Sequence, residues 1–185
     1  MKINKIALAT VASIACTAVQ AQSTLTFSDI GSPAASPTGN INTATSFTLG
    51  AVINNADGAG SLAGLGFQFF GSVTFSTSSP TSFHLNNPTF GTFDSTLIQL
   101  ASQAAGTIQY NIFGTFNSGA FDGGTTVNQP ASYTLTLTQT PAGTGSISDT
   151  GIFSIPPVAV PEPGSLALLG MGVGAAWVQF RRRNA

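Results

Sequence analysis

Apolar side chains that recur at every second residue, in short runs divided by turn formers, leave this chain few folds to choose from. Phe67, Phe69, Val73 and Phe75 fall on one parity with Gly71, against Gln68, Ser72, Thr74 and Ser76 on the other, with Phe70 the exception. Ile108, Tyr110, Ile112 and Phe116 stand against Gln109, Asn111 and Thr115; Tyr133, Leu135 and Leu137 stand against Ser132, Thr134, Thr136 and Thr138. A strand sends successive side chains to opposite faces, so a period of two marks a strand with one face in a core and one in water. Leu25 with Phe27, Phe47 with Leu49, Phe83 with Leu85, Leu97 to Leu100, and Ile152 to Ile155 are shorter runs of the same kind. Turn formers stand between them: Ser32-Pro33, Thr38-Gly39-Asn40, Gly58-Ala59-Gly60, Asn87-Pro88, Asp122-Gly123-Gly124 and Pro141-Ala142-Gly143. The pattern predicts an all-β domain over residues 22–159: an antiparallel β-sandwich of roughly eight strands, jelly-roll or immunoglobulin-like. Only around Ser95 to Ala104 does a helix compete with a strand in this region.

Charge narrows the functions such a domain can have. Every Lys and Arg of the chain lies near an end, as Lys2, Lys5, Arg181, Arg182 and Arg183. Between them stand Asp29, Asp57, Asp94, Asp122 and Asp149, with His84 as the only side chain that can become cationic. Ion pairs to Lys or Arg are impossible within the domain, and nucleic acid, whose binding rests on those residues against phosphate, is excluded as a partner. Ser, Thr, Asn, Gln and Gly supply the solvation instead. Disorder is not the reading, because disordered chains are poor in aromatic and β-branched residues and this one is rich in both.

The two ends carry targeting signals. Lys2 and Lys5 precede an apolar run from Ile6 to Val19, and Val19-Gln20-Ala21 has the small-x-Ala pattern of a signal-peptidase site, so residues 1–21 read as a secretory signal helix with cleavage set by Val19 and Ala21. Cys16 is the only cysteine; a lipoprotein signal wants a large aliphatic residue three positions earlier, where Ser13 stands. The domain itself is cysteine-free and must be held by its core. At the other end, Val160-Pro161-Glu162-Pro163 is followed by an uncharged apolar run from Gly164 to Phe180 and then by Arg181, Arg182 and Arg183. As a helix the apolar run spans about 25 Å, near the lower limit for crossing a bilayer core. The arginines place its far side in the cytoplasm, and the two prolines keep the Pro-Glu-Pro box extended outside the membrane. Gly170 and Gly174 have helix-dimer spacing, but small residues abound in such runs.

Residues 160–185, a Pro-Glu-Pro box, a transmembrane helix and an Arg cluster in that order, resemble a PEP-CTERM sorting tail. The resemblance implies that Val160, Pro161, Glu162 and Pro163 are read by an exosortase-type membrane protease. It also implies that the apolar run holds the chain transiently in the inner membrane of a Gram-negative bacterium, while Arg181, Arg182 and Arg183 stop translocation. Delivery to the cell surface or extracellular matrix, and association with exopolysaccharide or biofilm, follow from the same likeness, as does O-linked sugar on the many hydroxyls. No N-linked sequon competes, since Asn87-Pro88-Thr89 has proline in the middle. A permanent anchor that no protease touches is the alternative for the tail.

Catalytic chemistry is thinly supplied. One His, five Asp, no Cys, no Lys and no Arg in the domain leave His84 and Asp94 with some serine as the only hydrolase set that can be assembled, and no G-x-S-x-G elbow accompanies them. His84 has the parity opposite to Phe83 and Leu85 and reads as a solvent-facing strand histidine. No transition-metal set can be completed, and no cofactor is expected. Calcium would find oxygen ligands in the Asp122-Gly123-Gly124 and Asp57-Gly58 turns, yet the aspartates are scattered and turn chemistry accounts for them. Thr134, Thr136, Thr138 and Thr140 form one row of hydroxyls and methyls able to order water, where an ice-binding face needs several rows in register. Phe90-Gly91-Thr92-Phe93 and Phe113-Gly114-Thr115-Phe116 form a near-repeat without a third copy, which argues for two similar strands rather than a solenoid. The expected function is a non-enzymatic, structural or adhesive surface protein, with a small hydrolase on His84 and Asp94 as the alternative.

Overall fold

The computed structural model describes residues 22–54 and 58–157. The expected signal helix and transmembrane helix lie outside the described residues, together with Val19, Ala21, Asp57, Val160, Pro161, Glu162, Pro163, Arg181, Arg182 and Arg183.

Among the described residues nine strands follow one another: β1 (Ser23–Ile30), β2 (Ala34–Ser36), β3 (Ser46–Asn54), β4 (Phe69–Ser76), β5 (His84–Asn87), β6 (Gly91–Ala104), β7 (Thr107–Ser118), β8 (Gln129–Thr140) and β9 (Ser146–Ile155). Single 3-10 turns occupy Gly60–Leu62 and Ala120–Asp122. Every pairing is antiparallel, in the order β2-β3-β1-β9-β8-β7-β6-β5, and β4 pairs with β3. β3 has β4 along one edge, and β2 followed by β1 along the other.

The all-β antiparallel reading holds; the two-sheet sandwich of roughly eight strands does not. The nine strands make one continuous, strongly curled sheet. A sandwich needs a break in the ladder, and here β1 and β9 bridge the place where it would fall. Four register shifts, two in the β3–β4 ladder and two in β6–β7, supply the bend, since each bulge adds local twist. The end strands then meet: Asn87 Nδ2 donates to the Phe69 carbonyl at 2.9 Å, the Ser76 amide donates to Ser82 Oγ at 2.8 Å, and the Phe75 and Phe83 rings lie 5.7 Å apart.

Inside the curl is one aromatic core. Phe90 packs on Phe27, Phe70, Phe116 and Phe153, while Tyr133 bridges Phe27 and Phe83. Edge-on and tilted ring pairs of this kind contribute about 0.5–1.5 kcal/mol each beyond area burial, and they hold a domain that has neither disulfide nor Lys or Arg ion pair. Gln139, buried in the same interior, ties two loops together: its Nε2 donates to the carbonyls of Gly39 and Gly145, and its Oε1 accepts from the amides of Ile41 and Gly143.

Two local expectations are corrected. Phe67 and Phe69 are not core; they are 66% and 54% exposed, and Phe70, the apparent exception, packs inward on Phe27. The register slips between Val52↔Gly71 and Ile53↔Phe69, so Phe70 is the extra residue of a bulge and the alternation changes phase there, beside Gly71 at φ +73°. Residues 95–104 are strand, not helix, as the second half of β6. The near-repeat is explained by pairing. Phe93 lies opposite Phe116, Gly114 opposite Ser95, and Gly91 opposite Ser118, so the two similar segments are antiparallel neighbours in one sheet rather than turns of a solenoid.

Candidate functional site

The outward face of β6–β9 is a registered field of hydroxyls and amides. Across β7, β8 and β9 the rows read Thr107, Thr138, Ser148; then Gln109, Thr136, Thr150; then Asn111, Thr134, Ile152. Thr134 Oγ1 donates to Asn111 Oδ1 at 3.4 Å, and Thr140, the last of the threonine row, lies opposite Ser146. The next row adds apolar side chains, with Phe113 opposite Leu97 on one side and Ser132 on the other; Leu97, Phe113 and Ile152 are all partly open to solvent. Alternation alone builds this face, because each strand that sends Ile, Tyr, Leu or Phe inward must send its Thr, Gln and Asn outward. It offers donors and acceptors in rows, with exposed apolar side chains at its margin.

His84 and Asp94 are brought together on the same convex side. They are cross-strand partners between β5 and β6, with His84 Nδ1 2.7 Å from Asp94 Oδ1 and side chains 58% and 49% exposed. The histidine is solvent-facing, as its parity requires. Among the described residues no serine hydroxyl is hydrogen-bonded to its ring.

A third constellation was not singled out from the sequence. Asp29 near the end of β1 and Asp149 of β9 meet where β1 leaves β9 for β3, and Tyr133 of β8 lies over Gly151 with its hydroxyl beside them. Asp29 Oδ2 accepts from the Gly50 amide at 2.6 Å; Asp29 Oδ1, Asp149 Oδ2 and the Tyr133 hydroxyl are buried without a hydrogen-bond donor. Burial and then the charge of Asp29 push the Asp149 carboxyl up to about 7, and Asp29 is raised as well, by burial, against the opposing pull of the Gly50 amide and of Asp149. Burial, followed by the two aspartates, holds the Tyr133 phenol well above its ordinary range. Both carboxyls are thus biased toward the protonated form, and one proton held between them would satisfy oxygens that otherwise lack a partner. The signal was in the sequence: Asp29 continues the inward parity of Leu25 and Phe27, and Asp149 that of Ile155 and Phe153.

This pair sets a pH dependence. A carboxyl raised from about 4 to about 7 binds its proton more tightly in the fold than in the unfolded chain, so stability falls as pH climbs through that window and levels off above it. Asp149→Asn should therefore leave the domain more stable than wild type at pH 8, by about 1–2 kcal/mol after discounting for the partial exposure of the group, and nearly unchanged at pH 4. Urea melts at the two pH values measure it; equal differences at both would remove the shared proton.

Asp122 does turn chemistry. Its carboxylate accepts from the Gly124 amide and from the Thr125 and Thr126 hydroxyls, and although burial pushes its carboxyl up, the hydrogen bonds from Ser118, Thr126, Thr125 and Gly124 outweigh that and lower it. Among the described residues no group of three or more His, Cys, Asp or Glu is arranged to hold a metal.

The remaining candidate is the tail. Residues 159–183 match the family described as the PEP-CTERM protein-sorting motif. The chain carries a PEP-CTERM tail. The match takes in Val160, Pro161, Glu162 and Pro163 as well as Arg181, Arg182 and Arg183, and a PEP-CTERM tail implies an exported protein sorted by an exosortase. The match begins at residue 159, after the last strand, so it says nothing of the sheet. No curated protein and no solved structure matches the chain.

Proposed function

We propose that this is a non-enzymatic component of the cell surface or extracellular matrix, presented there by its PEP-CTERM tail and adhering to exopolysaccharide through the outward face of β6–β9. The observation that carries the reading is the motif at residues 159–183, which gives the chain its route. The hydroxyl and amide rows support the partner: a domain whose only full charges are carboxylates and one histidine is suited to neutral sugars and repels bare anionic surfaces. A signal peptidase and an exosortase act on the ends, the apolar run of the tail dwells in the inner membrane before processing, and no cofactor is needed.

Retention of the mature protein on immobilised matrix polysaccharide tests it. Thr136→Lys together with Gln109→Lys should abolish retention without loss of folding, since both side chains point outward; unchanged retention would move the contact elsewhere. The hydrolase reading has the 2.7 Å contact of His84 with Asp94 in its favour. His84→Ala separates the two, because it should leave polysaccharide retention intact and would destroy any hydrolysis that His84 performs. The ice-ordering alternative on Thr134, Thr136, Thr138 and Thr140 is weakened by the Gln, Asn and Ile that flank the row.

A further inference from the structure

We propose that Asp29, Asp149 and Tyr133 form a calcium site on the inner face of the sheet, a structural ion that ties β1 to β9 where the two strands part. The β1–β9 ladder ends at Phe27↔Gly151, and two further steps along it bring Asp29 level with Asp149. There β1 is paired with β3, Asp29 opposite Val52, and β9 with β8, Asp149 opposite Leu137. Both carboxyls lie on the inward parity within hydrogen-bonding range of each other, and both residues stay partly open to solvent.

Two neighbouring carboxylates are not in themselves a site; the third oxygen is what marks this one. Tyr133, 0% exposed, carries its hydroxyl over Gly151, two residues from Asp149 on the same face, and feels the charge of both aspartates. That hydroxyl, Asp29 Oδ1 and Asp149 Oδ2 are all buried without a hydrogen-bond partner. Buried polar atoms left unpartnered are uncommon in folded proteins, because each forfeits its hydration, and one cation answers all three. The backbone fixes their geometry. The Gly50 amide, at the extra residue of a bulge in β3, donates to Asp29 Oδ2 at 2.6 Å and leaves Oδ1 for the interior, while Gly151, lacking a side chain, makes room for the phenol. No other charged side chain stands on β1, β3, β8 or β9, so two negative charges face a single divalent ion. An all-oxygen set disfavours zinc and copper, which prefer imidazole and thiolate. Calcium tolerates irregular shells and accepts waters from the open side, whereas magnesium demands a near-ideal octahedron and dehydrates reluctantly. With only two carboxylates, the affinity belongs to the weak class of extracellular modules, Kd about 10⁻⁴–10⁻³ M.

Terbium occupies calcium sites and emits when a tyrosine beside it is excited, so it reads the position of the ion. In the mature secreted protein, tyrosine-excited terbium emission should saturate, be displaced by calcium, and fall roughly fivefold in Tyr133→Phe, which leaves Tyr110 in place. In melts at about pH 8, where both carboxyls are ionised, calcium at about 10 mM should raise the Tm by roughly 5 °C. Asp29→Asn and Asp149→Asn should each abolish that rise, and Asp122→Asn should keep it. Without calcium Asp149→Asn melts no lower than wild type at that pH, so a lost response is not a lost fold. Magnesium at the same concentration should give less than about a third of the effect. A rise as large in both asparagine variants, an equal rise with magnesium, terbium emission unchanged in Tyr133→Phe, or no calcium response because a water or a proton satisfies the oxygens, overturns the proposal.

Discussion

Gly91→Ala should destabilise the domain by about 3 kcal/mol, lowering its Tm by roughly 10 °C, while Gly123→Ala costs only about 1 kcal/mol. Both glycines have positive φ, +114° and +74°, so the difference isolates what surrounds them. A Cβ on Gly91 would run into the backbone of the neighbouring strand, at the Asn117 carbonyl oxygen, with the Gly119 nitrogen 2.6 Å and the Ser118 carbonyl carbon 2.7 Å away; on Gly123 it would meet nothing within 4 Å. The close approach is made by the turn after β7, where the Gly119 amide donates to the Phe90 carbonyl at 2.9 Å and holds the start of β6 against it. Paired thermal melts measure both variants. Equal losses would mean that left-handed strain alone matters and that the contact with β7 relaxes freely.

The second large effect concerns proteolysis. If the tail is cut at the Pro-Glu-Pro box and the signal peptide is removed, the extracellular product has lost Lys2, Lys5, Arg181, Arg182 and Arg183, and with them every trypsin site in the chain. The released protein should survive trypsin even after denaturation, because resistance comes from missing targets and not from compactness, whereas chymotrypsin should digest the denatured chain at its many Phe residues. Glu162→Ala, or alanine at Pro161 and Pro163, should leave the protein in the membrane fraction with its arginines attached. A tryptic peptide ending at Arg181 in wild-type extracellular material would show that the tail is kept there.

Fold class was legible in the sequence because β8 and β7 alternate without interruption. The parity of Tyr133, Leu135 and Leu137 is also the parity of burial. It failed where the backbone inserts a residue: the bulge at Phe70 reversed the faces of Phe67 and Phe69, and no periodicity written along one strand can announce a slip that depends on the partner. Sheet closure was hidden for a similar reason, since whether strands divide into two sheets or follow one curled ladder is decided by pairings such as Thr26 with Ile152, which join the first strand to the last. Of the candidate sites, the tail motif is local in sequence and could be read directly. The pairing of His84 with Asp94 needed a register, and the meeting of Asp29 with Asp149 was missed because a carboxylate on an inward parity was taken for a turn residue.

β9 occupies a position with mechanical meaning. It is the strand from which the chain runs on toward the tail, and in the sheet it has hydrogen-bonded neighbours on both sides, β1 over Gly151 to Ile155 and β8 over Ser146 to Ser154. A pull on β9 through an attached tail has two ladders to break, where a strand at the rim is held by one. Drag on the domain while it is still tethered is thereby borne at the centre of the sheet.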